Sequence, residues 1–243
     1  MRLPAQCLPH LLGEKRTSSL EVRFEYDRDD WKHVSRMEVL RDACAGRRVI
    51  HVGCVDHDVA TIERKIEEGL WLHRRLCDCA ERCFGVDIQE DGIRYMQERL
   101  GYADVEALDI ASTESSRLSA GRWDCLLLPD VLEHIDDPVD FLTRLNRRFR
   151  ANVSEIVITV PNALSRVNFK RARRNFERLN SDHRYWFTPY TLAKVVSRAR
   201  FRVGTIRMCR HGAVSGRMWY RNYFLRRHPL MRNNIVLFAE FGE

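Results

Sequence analysis

The order in which hydrophobic patterns follow one another constrains this chain more than any other feature. Short β-branched or apolar runs alternate with helix-like stretches along most of its length. Residues 49–53, 83–87, 104–108, 123–128 and 155–160 read as strands. Helical patterns fill 61–80 (with a break near Gly69), 90–100, 112–119, 138–149 and 188–198. Pro138 suits the first turn of its helix, and Thr188 with Pro189 reads as an N-cap followed by the first helical position. Residues 201–208 and 234–241 close the chain as two strands with no long helical pattern between them. Five strand-then-helix units followed by two strands predict an α/β fold: a parallel sheet with helices on both faces and a final hairpin.

At 243 residues, 44% hydrophobic, the chain is long enough for one domain with a substantial core. Residues 47–243 read as that domain. Residues 1–46, an irregular leader with a helix over 31–45, read as an appendage. No run of about 18 apolar residues is present, so no membrane-spanning helix is expected. The opening stretch MRLPAQCLPHLLGEKR is too briefly apolar for a secretory signal. Eight cysteines in a chain that needs no staples, several on expected strands or helix faces, point to reduced thiols and a cytoplasmic setting. Charge is polarised. Residues 1–140 carry 19 Lys and Arg against 29 Asp and Glu, while residues 141–243 carry 22 against 5. One face of the fold should therefore attract anions, although a solvated basic surface gives the same count.

In an open α/β sheet, ligands bind outside the carboxyl ends of the strands. After the first strand comes Gly53-Cys54-Val55-Asp56, after the second Asp87-Ile88, after the third Asp109-Ile110, and after the fourth Pro129-Asp130. A strand-end Asp is usually a turn or cap residue. Three at successive strand ends, in register with a glycine turn, are harder to dismiss. The first turn, RRVIHVGCVDHD, has a single glycine. A loop that wraps a pyrophosphate needs several bare backbone amides, whereas a ligand without phosphate needs only one close approach of the chain.

Four stretches in this order, VIHVGC, CFGVDIQEDGI, WDCLLLPDVLEHIDDP and EIVITVPNA, resemble the class I S-adenosylmethionine-dependent methyltransferases over roughly residues 47–208. The third is similar to the VLEHxxDP segment of the ubiquinone-type O-methyltransferases. The resemblance implies a Rossmann-like seven-stranded, mostly parallel sheet with helices on both faces and an antiparallel last strand, and S-adenosyl-L-methionine as cofactor. It also implies that Gly53 and its neighbours His51 and Cys54 face the methionine part, Asp87 the ribose, and Asp109 with Ile110 the adenine, with Ile88 also among the cofactor-binding residues. Pro129 and Asp130 complete the cofactor-binding set. The chain departs from the family at His51, where an acid is usual, and at Val55, where a second glycine is usual.

Asp130, Glu133 and His134 follow the fourth strand as D-x-x-E-H, and His183 lies in SDHRYWF just before the Thr188 cap. One helical turn would bring residues three and four apart onto one face. The layout is similar to the E-x-x-E-H and distant histidine of small-RNA 2′-O-methyltransferases. By that resemblance Asp130, Glu133, His134 and His183 would hold a divalent metal. Methyl transfer to an alcohol oxygen needs the hydroxyl proton removed, by a histidine base or with the help of a metal that stabilises the alkoxide. Catalysis by Glu133, His134 and His183 without a metal is the preferred expectation; a metal cluster and a purely structural role stay open. Cys77-x-Cys79-x₃-Cys83 matches no common zinc spacing and reads as packing, and His73 reads as a helix-surface residue with a role in the pocket left open.

Residues 161–187, PNALSRVNFKRARRNFERLNSDHRYWF, form a basic insertion with a helical pattern over 166–179. By resemblance it covers the acceptor site, and its charge suits a phosphate-bearing acceptor. The PNALS and DHRYWFTPYTL stretches also look like methyltransferases that accompany bacterial surface-polysaccharide assembly. O-methylation of a sugar or other small hydroxylated acceptor is the leading expectation. Its rivals are an RNA methyltransferase and a degenerate, non-catalytic cofactor-binding module that works through its basic face. Tyr185, Trp186 and Phe187 read as anchors of the following helix rather than as base-stacking platforms.

Overall fold

A computed structural model describes residues 1–214 and 219–242. Within them a seven-stranded sheet is built from β1 (Arg48–Val52), β2 (Arg82–Asp87), β3 (Val105–Ala107), β4 (Trp123–Pro129), β5 (Val153–Pro161), β6 (Phe201–Cys209) and β7 (Asn234–Phe241). Their spatial order is β3-β2-β1-β4-β5-β7-β6. β1 to β5 are mutually parallel, and β7 runs antiparallel to both β5 and β6. The expected mostly parallel sheet with an antiparallel last strand is what forms.

Around the sheet lie α1 (Leu8–Leu12), α2 (Arg36–Cys44), α3 (Val59–Glu67), α4 (Leu72–Cys77), α5 (Glu90–Glu98), α6 (Ser116–Ser119), α7 (Pro138–Phe149), α8 (Arg166–Ala172), α9 (Pro189–Arg198) and α10 (Trp219–Arg227). Successive strand residues point to opposite faces, and both faces are covered, so the inner strands β1, β2, β4 and β5 are mostly apolar. The edge strand β6 carries exposed and half-buried polar residues. Ile50, Phe84, Leu126 and Ile158 share one core with Leu142 and Leu145 of α7 and Leu192 and Val196 of α9. Val49, Cys83, Leu127 and Val157 share the other with Leu40 and Cys44 of α2 and Leu72 and Leu76 of α4. The segment before β1 is tied in as well: Met1 and Leu11 are buried in the first core. No helix among the described residues is long and apolar enough to cross a membrane.

Local chemistry sets the element ends. Asp137 accepts hydrogen bonds from the Val139 and Asp140 amides, and Thr188 with Thr191 forms a capping box on α9. The expected break at Gly69 separates α3 from α4, and Gly69 takes φ +65° there. Two expectations fail. The helix read over 166–179 ends at Ala172: none of its residues is buried, and Asn175 turns left-handed at φ +55°. A short helix with no packed face lacks the tertiary support that most helices depend on. Between β6 and β7, where no long helical pattern was read, lies the nine-residue α10.

Candidate functional site

The carboxyl ends of β1, β2 and β4 open into a cleft of about 890 Å³. The cofactor and catalytic candidates all line it: His51, Gly53, Cys54, Asp87, Ile88, Asp109, Ile110, Pro129, Asp130, Glu133, His134 and His183; Val55 of the first turn does not.

The first turn begins at Gly53, which adopts φ +76° and whose amide donates to the Val86 carbonyl at 2.8 Å. A Cβ at Gly53 would stand 3.0 Å from a Val131 methyl, so the residue is needed for both conformation and space. The turn continues through Asp56 and His57, both with positive φ, until Asp58 caps α3 by accepting from the Thr61 amide. Asp56 pairs with Lys65. Val55, standing where a second glycine is usual, is fully buried against Gly92 of α5. A Cβ on Gly92 would lie 2.2 Å from a Val55 methyl. The glycine missing from the loop has its counterpart on the helix beneath.

Asp87 ends β2 with one oxygen accepting from the Val55 amide at 2.9 Å and the other from the Gln89 amide at 3.1 Å. Burial raises its carboxyl above the ordinary value, against these two bonds. Each oxygen keeps a second lone pair for a ligand hydroxyl. Ile88 beside it is 74% exposed, an apolar surface presented to the cleft. Asp109 is exposed and accepts from the Ala111 amide and the Ser112 hydroxyl, so its carboxylate already shapes the turn after β3.

Asp130 departs from the expected cluster. It sits at φ +53°, and its carboxylate turns towards Arg36 of α2, the Thr159 hydroxyl at 2.7 Å and His211 at 3.5 Å. Burial disfavours its charge, but Arg36 and His211 outweigh burial and hold the carboxyl below its usual range. The expected helical turn is a short 3₁₀ turn, Leu132–His134. The groups that converge are Glu133, His134 and His183, whose ligand atoms lie within 4.8 Å of one another. Glu133 is fully buried, and neither carboxylate oxygen has a hydrogen-bond partner among the described residues. Burial, with Asp130 adding to it, pushes its carboxyl up to about 9. The His183 Nδ1 is likewise without a partner among the described residues, and burial lowers that imidazole's pKa. His134 meets His183 edge to face at 4.7 Å between ring centres, and its Nδ1 lies 2.8 Å from Asp182.

Three residues of this site escaped the sequence reading, and a fourth, His73, was placed first on the surface. Arg36 comes from the segment read as an appendage, and no local pattern tied it to Asp130. Asp182 adjoins the singled-out His183, yet its partner is His134, 48 positions away. His211 reaches Asp130 from the far end of β6. His73, expected on a helix surface, is completely buried, with its Nδ1 3.0 Å from that of His51. Burial drives His51 well below the ordinary histidine range, and His73 and Arg36 add to that shift. Cys77 and Cys83 pack beside the pair, and all eight cysteines are free thiols. Of the three aromatics before α9, Phe187 is a core anchor while Tyr185 stays 40% exposed.

Residues 31–205 match a family of methyltransferase domains. No curated protein matches the chain. Among solved structures, the chain is similar to a SAM-dependent methyltransferase from Aquifex aeolicus (15% identity, 88% of this chain and 94% of that one, TM-score 0.50). It is also similar to an S-adenosylmethionine-dependent methyltransferase from Clostridium acetobutylicum (9% identity, 90% and 94%, TM-score 0.51). The small RNA methyltransferase HEN1 shares 15% identity over 94% of this chain but only 27% of its own length, with a TM-score of 0.53. With the strand order, the antiparallel β7 and the glycine turn at the head of the cleft, these likenesses agree: the chain belongs to the methyltransferase domain family and has the fold of the class I S-adenosylmethionine-dependent enzymes.

Proposed function

We propose that the protein transfers the methyl group of S-adenosylmethionine to a hydroxyl oxygen of a sugar or other small hydroxylated acceptor that carries phosphate nearby. The observation that carries this reading is the convergence of Glu133, His134 and His183 on one wall of the cleft that Gly53 and Asp87 open. Asp87 is the ribose acceptor, Ile88 and Ile110 flank the adenine with Asp109, and the Gly53–Cys54 turn faces the methionine end. His51, neutral because it is buried, stands in place of the usual acid without bringing a charge.

In the transfer, the acceptor oxygen bonds to the methyl carbon, the carbon–sulfur pair stays on sulfur, and the hydroxyl proton must leave. Asp182 accepts from His134 Nδ1, which fixes the tautomer and turns Nε2 towards the acceptor. If that nitrogen takes the proton, Asp182 stabilises the imidazolium that results. The same donor set also fits a divalent cation, because buried Glu133 oxygens and His183 Nδ1 lack partners among the described residues. Such a cation would be held by Glu133, His134 and His183 and would lower the pKa of the acceptor hydroxyl. The basic stretch 161–187 supplies Asn180, Asp182, His183 and Arg184 to the cleft wall, and its arginines suit a phosphate group.

A second reading, methylation of an RNA hydroxyl, is favoured by one feature. Phe169 and Phe176 of the insertion and Trp219, Tyr220 and Tyr223 of α10 are all about half exposed or more, interleaved with arginines. Exposed aromatics among basic residues are what single-stranded RNA stacks upon. Methyl transfer to nucleotide sugars and to RNA oligomers, followed by release of S-adenosylhomocysteine with and without a chelator, separates these readings. Turnover on RNA alone, with affinity falling steeply as salt rises, would replace the small acceptor. Failure to bind S-adenosylhomocysteine in calorimetry would leave only a non-catalytic module.

A further inference from the structure

We propose that His51, His73 and Cys83 form a second site, a binding site for a thiophilic divalent cation such as zinc, beneath the methionine end of the cleft. The three come from different elements. His51 stands on β1, Cys83 on the neighbouring β2, and His73 on α4, which packs across both strands. His51 and Cys83 lie on the same face of the sheet, the one α4 covers. All three side chains are buried, and one ligand atom from each lies within 4.8 Å of the other two.

The separations suit a single ion. With bonds of about 2.0–2.1 Å to nitrogen and about 2.3 Å to sulfur at tetrahedral angles, ligand atoms stand roughly 3.3 Å (N to N) and 3.6 Å (N to S) apart. Here the two Nδ1 atoms are 3.0 Å apart, and His73 Nδ1 is 3.9 Å from the Cys83 sulfur. Movements of a few tenths of an ångström reconcile these two separations, and the third, His51 to Cys83, lies within 4.8 Å. The ring of His73 has room because β2 carries Gly85 beneath it: a Cβ there would stand 2.8 Å from His73 Cε1.

The outer edge of the site is built too. Cys77 lies 3.6 Å from Nε2 of His73, the ring nitrogen that does not face His51, and also adjoins Cys83. It is placed to accept the N–H that His73 keeps when its Nδ1 binds a metal. His51 and His73 line the cleft, so the remaining coordination position opens there. On binding, Cys83 gives its thiol proton to solvent and both imidazoles stay neutral. A simple His51–His73 hydrogen bond would explain the pair but not the adjoining Cys83 and Cys77. The cluster shares His51 with the proposed cofactor pocket but no residue with Glu133, His134 and His183, and metal binding is read out without any methyl transfer.

Titration of the metal-free full chain with Co²⁺ tests this directly, because a cobalt–thiolate bond absorbs in the near ultraviolet and the Glu133 cluster has no sulfur. One equivalent of Co²⁺ should produce that band, and Zn²⁺ should abolish it. Glu133→Gln and Cys79→Ser should leave it intact. Cys83→Ser should remove it. His73→Gln, a second variant in case Cys83→Ser does not fold, should weaken binding at least about a hundredfold, since even outer partners cost about 10–100-fold. Cys77→Ser should fall within that outer-partner range. No thiolate band in the wild type, or a band that survives in Cys83→Ser, would overturn the site.

Discussion

Glu133 makes the sharpest test of the cluster because its environment ties stability to pH in a calculable way. Its carboxyl is shifted from an ordinary 4.5 to about 9 by burial, and by the Asp130 charge nearby. Between those values the unfolded chain has lost the proton and the folded chain keeps it. The native state then binds one proton more than the unfolded state, so unfolding free energy falls as pH rises, by about 1.4 kcal/mol per pH unit. The cost is absent below pH 4.5, grows through neutrality and is complete near 9. At pH 7.5, three units above the ordinary value, it amounts to roughly 4 kcal/mol as an upper bound, a large share of a typical domain's stability.

Glu133→Gln keeps the shape and removes the titration. Urea unfolding of both proteins from pH 5 to pH 8.5, with a chelator present, should give curves that converge at the acid end. They should diverge in favour of the variant by about 2–4 kcal/mol near pH 8. Adding Mn²⁺ or Mg²⁺ should narrow the gap by stabilising the wild type alone. The same substitution should lower methyl transfer at least roughly 100-fold, the upper end of what an outer partner costs. A side chain kept at such expense is there for chemistry. Parallel stability curves for the two proteins across that pH range would show that Glu133 titrates normally and that the cluster argument is wrong.

Other expectations follow from single contacts. Asp87→Ala should weaken S-adenosylhomocysteine binding by roughly 30- to 1000-fold in calorimetry, the worth of one or two hydrogen bonds to a charged acceptor; equally tight binding by both proteins would remove Asp87 from the cofactor site. Gly92→Ala should destabilise by about 1–3 kcal/mol through collision with Val55, and Val55→Gly in the same chain should recover most of it; additive losses in denaturation would break the proposed coupling. Asp182→Ala should lower kcat roughly 10- to 100-fold while leaving cofactor affinity unchanged, since the residue only orients His134; a change in cofactor affinity instead would relocate it.

The sheet was legible because it rests on period and punctuation. Strands buried on both faces are short apolar runs, and Pro138, Thr188 and Gly69 mark boundaries whatever surrounds them. The stretch 166–179 misled because its spacing suits a helix while its charge leaves no face to bury, and only packing decides between the two. Asp130 misled for a related reason. D-x-x-E-H places three groups within one turn, but the left-handed backbone at Asp130 sends its carboxylate to Arg36, a partner 94 positions earlier. Distance along the chain gave no hint of that pairing, nor of the one between His51 and His73.

The departures at His51 and Val55 can be understood together. Val55 puts bulk into the turn and His51 replaces an acid at the end of β1, and a glycine on an adjoining element makes room beside each change. Gly92 on α5 receives Val55, and Gly85 on β2 makes room for the His73 ring that meets His51. The space relinquished in the loop has been moved one layer down, so the turn can still approach a ligand at Gly53. A degenerate loop would be expected to leave such bulk strained or unmatched. Paired glycines instead point to a rebuilt pocket, in which a neutral, buried histidine pair has taken over the position of the customary acid. Restoring the acid alone, by His51→Asp, should therefore destabilise the protein free of cofactor and metal, since the new charge would be buried beside His73. Improved cofactor binding by that variant, with undiminished stability, would mean that the histidines are tolerated rather than built in.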